Sequence, residues 1–118
     1  MKNLNLVLVA FVLLSLMLVG CGKNEPEEPT KRYAYVHCKH YVKQRLNAPS
    51  SADFSSLNDS DVVKLKTTRR GGKNEIKYLV TGYVHAKNNF GAQIRNNYSC
   101  KVTGQTGGKW QLENVSMH

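Results

Sequence analysis

The hydrophobic pattern along the chain starts with one long apolar segment and then changes to shorter periods. Residues 4–19 are largely apolar and follow the basic Lys2, which is typical of a secretory signal. After a polar, proline-containing stretch, apolar residues recur at helical spacing over 33–47, and Pro49 is expected to stop that helix. The remainder alternates between apolar and polar residues. This alternation predicts four strands, at residues 62–67, 75–87, 92–103 and 109–117.

The two longest predicted strands form a hairpin whose even-numbered positions carry the apolar side chains. Pairing of Ala86 with Ala92 would bring the two apolar sets onto one face, towards the helix. A change of phase between Leu112 and Val115 predicts a β-bulge in the last strand. The predicted fold class is therefore α+β, with one N-terminal helix packed on a four-stranded antiparallel sheet. The apolar hairpin positions are Ile76, Tyr78, Val80, Val84, Ala86, Ile94, Tyr98, Cys100 and Val102.

The segments between these elements carry turn signals. Residues 48–61 are rich in turn formers, and Phe54 and Leu57 within them are expected to plug into the core. The stretch RRGGKN at 69–74 is expected to be a glycine turn. Between the two long strands, Gly91 stands at a turn position that favours positive φ. The pattern indicates a single small domain.

The apolar segment at the N-terminus ends in the sequence Leu-Val-Gly-Cys, which resembles the bacterial lipobox. In that motif the cysteine is acylated and becomes the new N-terminus after cleavage. The resemblance implies attachment to the membrane through lipid on Cys21, and a place in the cell envelope. Gly22 is not the aspartate that retains lipoproteins on an inner membrane, which implies the outer membrane in a double-membrane cell. The implied segments are a signal peptide at 1–20, a lipidated cysteine with a polar linker at 21–32, and the domain at 33–118.

Two other interpretations of the N-terminus remain open. The segment could be an uncleaved anchor helix, or an ordinary secretion signal with a chance cysteine after it. The apolar run is short for a membrane span of about 20 residues.

The chain has three cysteines, and two of them are expected on buried faces. Cys38 lies on the apolar arc of the predicted helix, and Cys100 lies on the apolar face of a central strand. With Cys21 lipidated and the domain in an oxidising compartment, a Cys38–Cys100 disulfide is expected. If the N-terminal segment is not an export signal, the alternative is that Cys38 and Cys100 are two free thiols in the core. A buried Cys38 does not suit a nucleophile, which needs exposure and electrostatic activation.

The stretch HCKH raises the question of a metal site. On a helix, His37 and His40 lie about 60° apart, whereas Cys38 points into the apolar arc. Two histidines are fewer ligands than the three or four that zinc takes. The sequence also lacks a paired-carboxylate arrangement, a nucleophile motif and a phosphate-binding glycine loop. We therefore expect no metal, no cofactor and no catalytic residue, hence not an enzyme.

Two motifs, LNAPSSADF and GYVHAKNNFGAQIR, resemble a recurrent bacterial extracytoplasmic domain. In that family a Leu-x-x-Pro-Ser-x-Ala-x-Phe stretch ends a helix, and a Gly-Tyr-Val-Asp-Ala-x-Asn-x-Phe-Gly-Ala-x-Val-Arg hairpin follows. The family occurs behind lipoprotein signals and behind membrane-tethered zinc-ribbon heads. His85 stands where the motif has aspartate, and Ile94 replaces valine. The matching positions are Leu46, Pro49, Ser50, Ala52, Phe54, Gly82, Tyr83, Val84, Ala86, Asn88, Phe90, Gly91, Ala92 and Arg95.

The motif residues have mainly architectural roles, and the resemblance implies a fold rather than a chemistry. Gly82 would let a neighbouring segment approach the sheet. Gly91 would supply the turn, Asn88 would bond turn backbone, and Phe90 would cover the end of the core.

The charge of the chain suggests what a binding surface would recognise. The formal net charge is +9, and loss of Lys2 with the signal would leave +8. Odd-numbered hairpin residues would form a basic outer face with Tyr83 at its centre. Such a surface favours acidic partners, here an envelope protein or an anionic envelope polymer, whereas nucleic acid is not expected in this compartment. The candidate partner-binding residues are Arg69, Arg70, Tyr83, His85, Lys87 and Arg95.

The sequence thus predicts a lipid-anchored, non-enzymatic envelope lipoprotein that acts as a binding module for an acidic or macromolecular partner. One alternative is an exclusion or inhibitor lipoprotein of the kind that phages and plasmids encode. A second is an accessory subunit of an envelope assembly. A third is that the basic face is solvated and serves only solubility.

Overall fold

The computed structural model describes residues 27–118, so Cys21 and the predicted signal peptide lie outside the described residues. Within this range one α-helix packs on an antiparallel sheet, which confirms the α+β class. None of its helices is long and apolar enough to cross a membrane. The elements are α1 (Lys31–Lys43), a 3₁₀ helix (Pro49–Ser51), β1 (Asp53–Phe54), β2 (Asp61–Arg70), β3 (Lys73–Lys87), β4 (Gln93–Gln105) and β5 (Lys109–Met117).

Helix α1 starts earlier and ends earlier than the predicted range 33–47. It starts at Lys31 because the Thr30 hydroxyl accepts a hydrogen bond from the Tyr33 N–H at 3.2 Å, which caps the helix. It ends at Lys43, after which the Arg45 N–H bonds the carbonyl of residue 42 at 2.9 Å and the last turn tightens. The buried stripe of the helix consists of Ala34, Tyr35, Cys38 and Val42.

The sheet has five strands within the described range, so the prediction of four was wrong. The additional strand, β1, lies in the segment that the sequence indicated as turn-rich. Its residues Asp53 and Phe54 pair with His85 and Val84 of β3. Strands β1 and β2 pair with one edge of β3, while β4 pairs with the other edge and with β5. A strand of two residues is too short to show alternation, which is why the pattern missed it.

The hairpin of β3 and β4 keeps the predicted faces but not the predicted register. Ala86 pairs with Ile94, not with Ala92. A slip of two residues preserves the side-chain faces, because side chains alternate with a period of two. Ala92 belongs to the turn instead, where its carbonyl accepts from the Asn88 N–H at 2.9 Å. Most of the even-numbered residues are buried as expected, namely Ile76, Tyr78, Val80, Val84, Ala86, Tyr98, Cys100 and Val102. The expectation for Ile94 was wrong, because it lies at the end of the hairpin and is 42% exposed.

The turn between β3 and β4 confirms two motif roles and contradicts a third. The Asn88 side-chain oxygen accepts from the backbone N–H groups of Phe90 and Ala92, at 2.9 and 3.0 Å. Gly91 has φ of +79°, as the turn requires. Phe90, however, is 94% exposed and does not cover the core. The turn carries it beyond the last paired residues, Lys87 and Gln93.

The predicted bulge in the last strand is confirmed. Lys101 pairs with Asn114 and Val102 pairs with Leu112, so Glu113 is the extra residue of β5. The glycine turn at 69–74 is shorter than predicted. Gly71 and Gly72, both with positive φ, form it alone, and the neighbouring arginines are paired residues of β2.

The predicted disulfide between Cys38 and Cys100 is present. The two Cα atoms are 5.9 Å apart and both residues are fully buried. It joins the buried stripe of α1 to the central strand β4 across 62 residues of sequence. The core between helix and sheet is thereby closed by a covalent bond.

Reduction of this disulfide should lower the free energy of unfolding by about 4 kcal/mol, because the loop that it closes is long. Urea unfolding with and without a reducing agent measures the loss. The variant Cys38→Ala/Cys100→Ala should not respond to the reducing agent. Two alkylatable thiols in the oxidised, denatured chain would contradict the bond.

Gly82 lies where β1 approaches the sheet, as the sequence predicted. A Cβ atom there would lie 2.6 Å from the Ser55 hydroxyl oxygen and 2.8 Å from the Tyr98 hydroxyl oxygen. Both neighbours are buried, so neither can move away freely. The absence of a side chain at Gly82 therefore lets β1 reach β3.

Gly82→Ala should lower the free energy of unfolding by about 1–3 kcal/mol, since it overpacks this contact. Tyr98→Phe removes one of the two crowded oxygens. The double variant should therefore be less destabilised than the sum of the single variants, as measured by chemical denaturation. A simple sum of the two effects would show that the crowding is relieved elsewhere.

Candidate partner-binding face

The face of the sheet opposite α1 is formed by the odd-numbered residues of β3 and β4. The helix packs on the even-numbered side, which leaves the odd-numbered side open to solvent. Along β3 its side chains from Lys77 to His85 are all partly exposed. We call this surface the outer face.

Tyr83, His85 and Arg95 form a cluster on the outer face. The Arg95 guanidinium carbon lies 4.0 Å from the centre of the Tyr83 ring, a cation–π contact. The Tyr83 and His85 rings are 5.4 Å apart. The register makes His85, not Tyr83, the direct partner of Arg95, so the arginine reaches Tyr83 along the diagonal. The sequence predicted the cluster, and the structure changes its geometry.

Asp53 is a member of this neighbourhood that sequence reasoning missed. It pairs with His85 on β1, so Asp53, His85 and Arg95 form one row across three strands. Directly paired residues share a face of the sheet, which places this exposed carboxylate on the outer face. The positive charge of the cluster is thus bounded by an acid on one side. No sequence signal marked Asp53, because β1 itself gave none.

Arg69 and Arg70 do not belong to the cluster, and their grouping with it was wrong. Arg70 pairs with Lys73, ten residues from Tyr83 along β3, or about 33 Å at strand spacing. Arg69 pairs with Asn74 and therefore lies on the opposite face from Arg70. Both are exposed at the β2–β3 turn. The predicted site is two separate basic surfaces at opposite ends of the sheet.

The end of the sheet near the cluster also exposes apolar side chains. Phe90, at the turn, is 94% exposed, and Ile94, on the helix-facing side of the sheet, is 42% exposed. Lys87, the remaining predicted residue, is exposed at the last pair of the hairpin. An exposed aromatic side chain at the same end of the sheet as Arg95 is more typical of a protein-binding surface than of a solvated sheet face.

Hydrogen bonds from the buried Ser55 hold the backbone of Tyr83 on the side of the sheet that faces the helix. The Ser55 hydroxyl accepts from the Tyr83 N–H at 3.1 Å, and the Ser55 N–H donates to the Tyr83 carbonyl at 2.8 Å. The Tyr35 hydroxyl of α1 donates to the Ser55 carbonyl at 2.7 Å. Burial raises the pKa of the neighbouring Tyr98, whose hydroxyl forms no hydrogen bond within residues 27–118. A continuous chain of hydrogen bonds therefore links α1, through Ser55 after β1, to the backbone of Tyr83 on the outer face.

The opposite half of the outer face contains a depression of about 150 Å³. The Lys77–Glu113 salt bridge, at 3.1 Å, lies along its wall, and the Thr103 hydroxyl donates to the same carboxylate. The volume is below that of typical small-molecule sites. Its lining residues are Lys66, Thr68, Arg70, Glu75, Lys77, Thr103 and Glu113.

The two helix histidines have separate surroundings. His37 stacks on Trp110 with 5.0 Å between ring centres, and burial lowers the pKa of His37. His40 is exposed and lies 3.2 Å from the Gln44 side-chain nitrogen. In the part of the chain that the structure describes, no three or more His, Cys, Asp or Glu side chains come together as a metal site.

Comparison with models of known protein families, with curated protein sequences and with solved structures finds no match to this chain.

Proposed function

We propose that this protein is a lipid-anchored, non-enzymatic binding module of the cell envelope, and that its outer face at the β3–β4 end takes a macromolecular partner. The observation that supports the proposal most is the Arg95–Tyr83 stack, 4.0 Å from guanidinium to ring, on an uncovered sheet face. Tyrosine and arginine carry much of the energy in known interfaces. The stack preorganises both side chains before a partner arrives.

The chemistry of the cluster indicates an acidic protein surface as the partner. The Arg95 guanidinium lies 4.0 Å from the centre of the Tyr83 ring, and an arginine in such a cation–π contact can still donate its N–H groups to a carboxylate. Lys87 adds a second positive charge, while the exposed Phe90 offers an apolar contact. Asp53 would repel a uniformly anionic polymer at the far end of the row. A partner with separate acidic and apolar patches fits this arrangement better than a polymer does.

Attachment through Cys21 is the part of the proposal that rests on sequence. The Leu-Val-Gly-Cys motif supports it, and the buried Cys38–Cys100 bond agrees with an oxidising compartment. The anchor would confine the module to a surface, which raises the effective concentration of any partner in the same envelope.

Cys21→Ser in the producing bacterium should abolish acylation and leave the unprocessed precursor. Gel mobility of the protein and the mass of its N-terminal peptide measure the change, and Lys23→Ala serves as the control that is processed normally. Unaltered size and membrane partitioning of the serine variant would overturn the anchor.

A photo-crosslinking residue at Asn97 should capture the partner in intact cells, because Asn97 is exposed and pairs with Tyr83. Arg95→Glu should lower the yield of the adduct at least about ten-fold, as expected for loss of a charged contact at an interface. Arg69→Glu makes the same charge change at the other end of the sheet and should leave the yield unaltered.

Thermal melting of both variants should match that of the unmodified chain, since both arginines are exposed. Equal adduct yields from the two variants would remove the cluster from the proposal. A loss of yield with Arg69→Glu alone would move the binding surface to the β2–β3 turn.

A further inference from the structure

Residues 27–30 are bound across the end of the sheet that lies farthest from the Tyr83 cluster. The Glu27 carbonyl accepts from the Gly107 N–H at 2.8 Å, and the Pro29 carbonyl accepts from the buried Tyr78 hydroxyl at 3.1 Å. The Glu28 carboxylate accepts from the Asn74 side chain at 3.2 Å. The packed structure therefore begins before residue 33, and the point where the preceding chain joins it is fixed.

A group of basic side chains surrounds this point, and we call it the basic end. Arg69, Arg70 and Lys73 lie at the β2–β3 turn, and the Asn74 side chain joins this turn to the segment at residues 27–30. The others lie at the first residues of α1 and β5. Glu27, Glu28 and Glu75 lie at the same end, so the local excess is three positive charges. The members are Lys31, Arg32, Arg69, Arg70, Lys73 and Lys109, all of them exposed.

These charges have no carboxylate partner within residues 27–118, where the one salt bridge joins Lys77 to Glu113. Glu28 is engaged by Asn74 and by the Thr106 hydroxyl instead. Six exposed cations at one end of a small domain are an electrostatic surface for an anion.

The sequence places a membrane close to this surface. Five residues lie between Cys21 and Glu27, so a lipid on that cysteine would hold Glu27 within about 20 Å of the bilayer. Anionic lipids attract basic residues within about a Debye length of the surface. Strand β3 runs from Lys73 to Lys87, about 46 Å at strand spacing, so the Tyr83 cluster lies at the other end of the domain.

We propose that the basic end docks on anionic phospholipid headgroups of the membrane that holds the chain, and that this docking turns the Tyr83 cluster away from the bilayer. The proposal rests on the anchor at Cys21 for its geometry. It gives Arg69 and Arg70 a role distinct from that of Arg95. The lipid holds the protein on the membrane, and the basic end sets its orientation there.

The single tryptophan of the chain makes the orientation measurable. Trp110 follows Lys109 and pairs with Gly104, at the basic end. The full chain purified from membranes is reconstituted into vesicles that contain a dansyl lipid. Energy transfer from Trp110 should be larger in vesicles with phosphatidylglycerol than in pure phosphatidylcholine. The difference should disappear at 0.5 M salt, because salt screens the attraction.

Arg69→Glu/Arg70→Glu changes the excess charge of the basic end from three positive to one negative. This variant should lose the phosphatidylglycerol-dependent increase in energy transfer. Lys43→Glu/Arg45→Glu is the matched control, because it makes the same charge change at the C-terminal end of α1. The control should keep the increase, and thermal melting shows that both variants are folded.

The outcomes separate docking from anchoring. Equal transfer in both vesicle types, or an increase that survives Arg69→Glu/Arg70→Glu, overturns the docking of the basic end on phospholipid. The mass of the N-terminal peptide and flotation with phosphatidylcholine vesicles test the lipid on Cys21 independently. An unacylated chain that shows the salt-sensitive increase retains the docking surface while the proposed anchor fails.

Discussion

The bond between Cys38 and Cys100 is the constraint on which the rest of the structure depends. A single helix on a single sheet encloses a thin core. The buried stripe of α1 must stay packed against the sheet for that core to exclude water. The disulfide fixes the middle of the stripe to the central strand β4, across 62 residues of sequence. With the even-numbered face of the sheet covered in this way, the odd-numbered face is left open to solvent.

The packing of α1 on the sheet also supports the outer face. The hydroxyl of Tyr35, three residues before Cys38, holds the Ser55 carbonyl, and Ser55 in turn holds both backbone groups of Tyr83. Gly82 permits this close approach because it has no Cβ atom. The backbone of Tyr83 is thus held by hydrogen bonds from the interior, and the Arg95 guanidinium lies over the ring of that residue.

The long sheet separates two basic surfaces, one with Arg69 and Arg70 and one with Arg95. From the sequence alone they were expected to form one surface. The strap at residues 27–30 fixes which end lies near the N-terminal segment, and the hairpin length sets the distance to the other end. With the anchor proposed at Cys21, the surface near the membrane and the surface far from it would meet different anions. This division follows from the register of β2 on β3, not from the composition of either segment.

Local patterns in the sequence were sufficient for the helix, the long strands, most of their buried positions and the bulge at Glu113, and together with the lipobox resemblance they were sufficient for the pairing of Cys38 with Cys100. Each depends on side-chain period or on a small number of possible partners. The two-residue strand β1, the pairing of Ala86 with Ile94, the exposure of Phe90 and the separation of Arg70 from Tyr83 were decided only by the tertiary structure. These features depend on how far one segment lies from another in space, and alternation reports the face of a residue but not its position along the sheet.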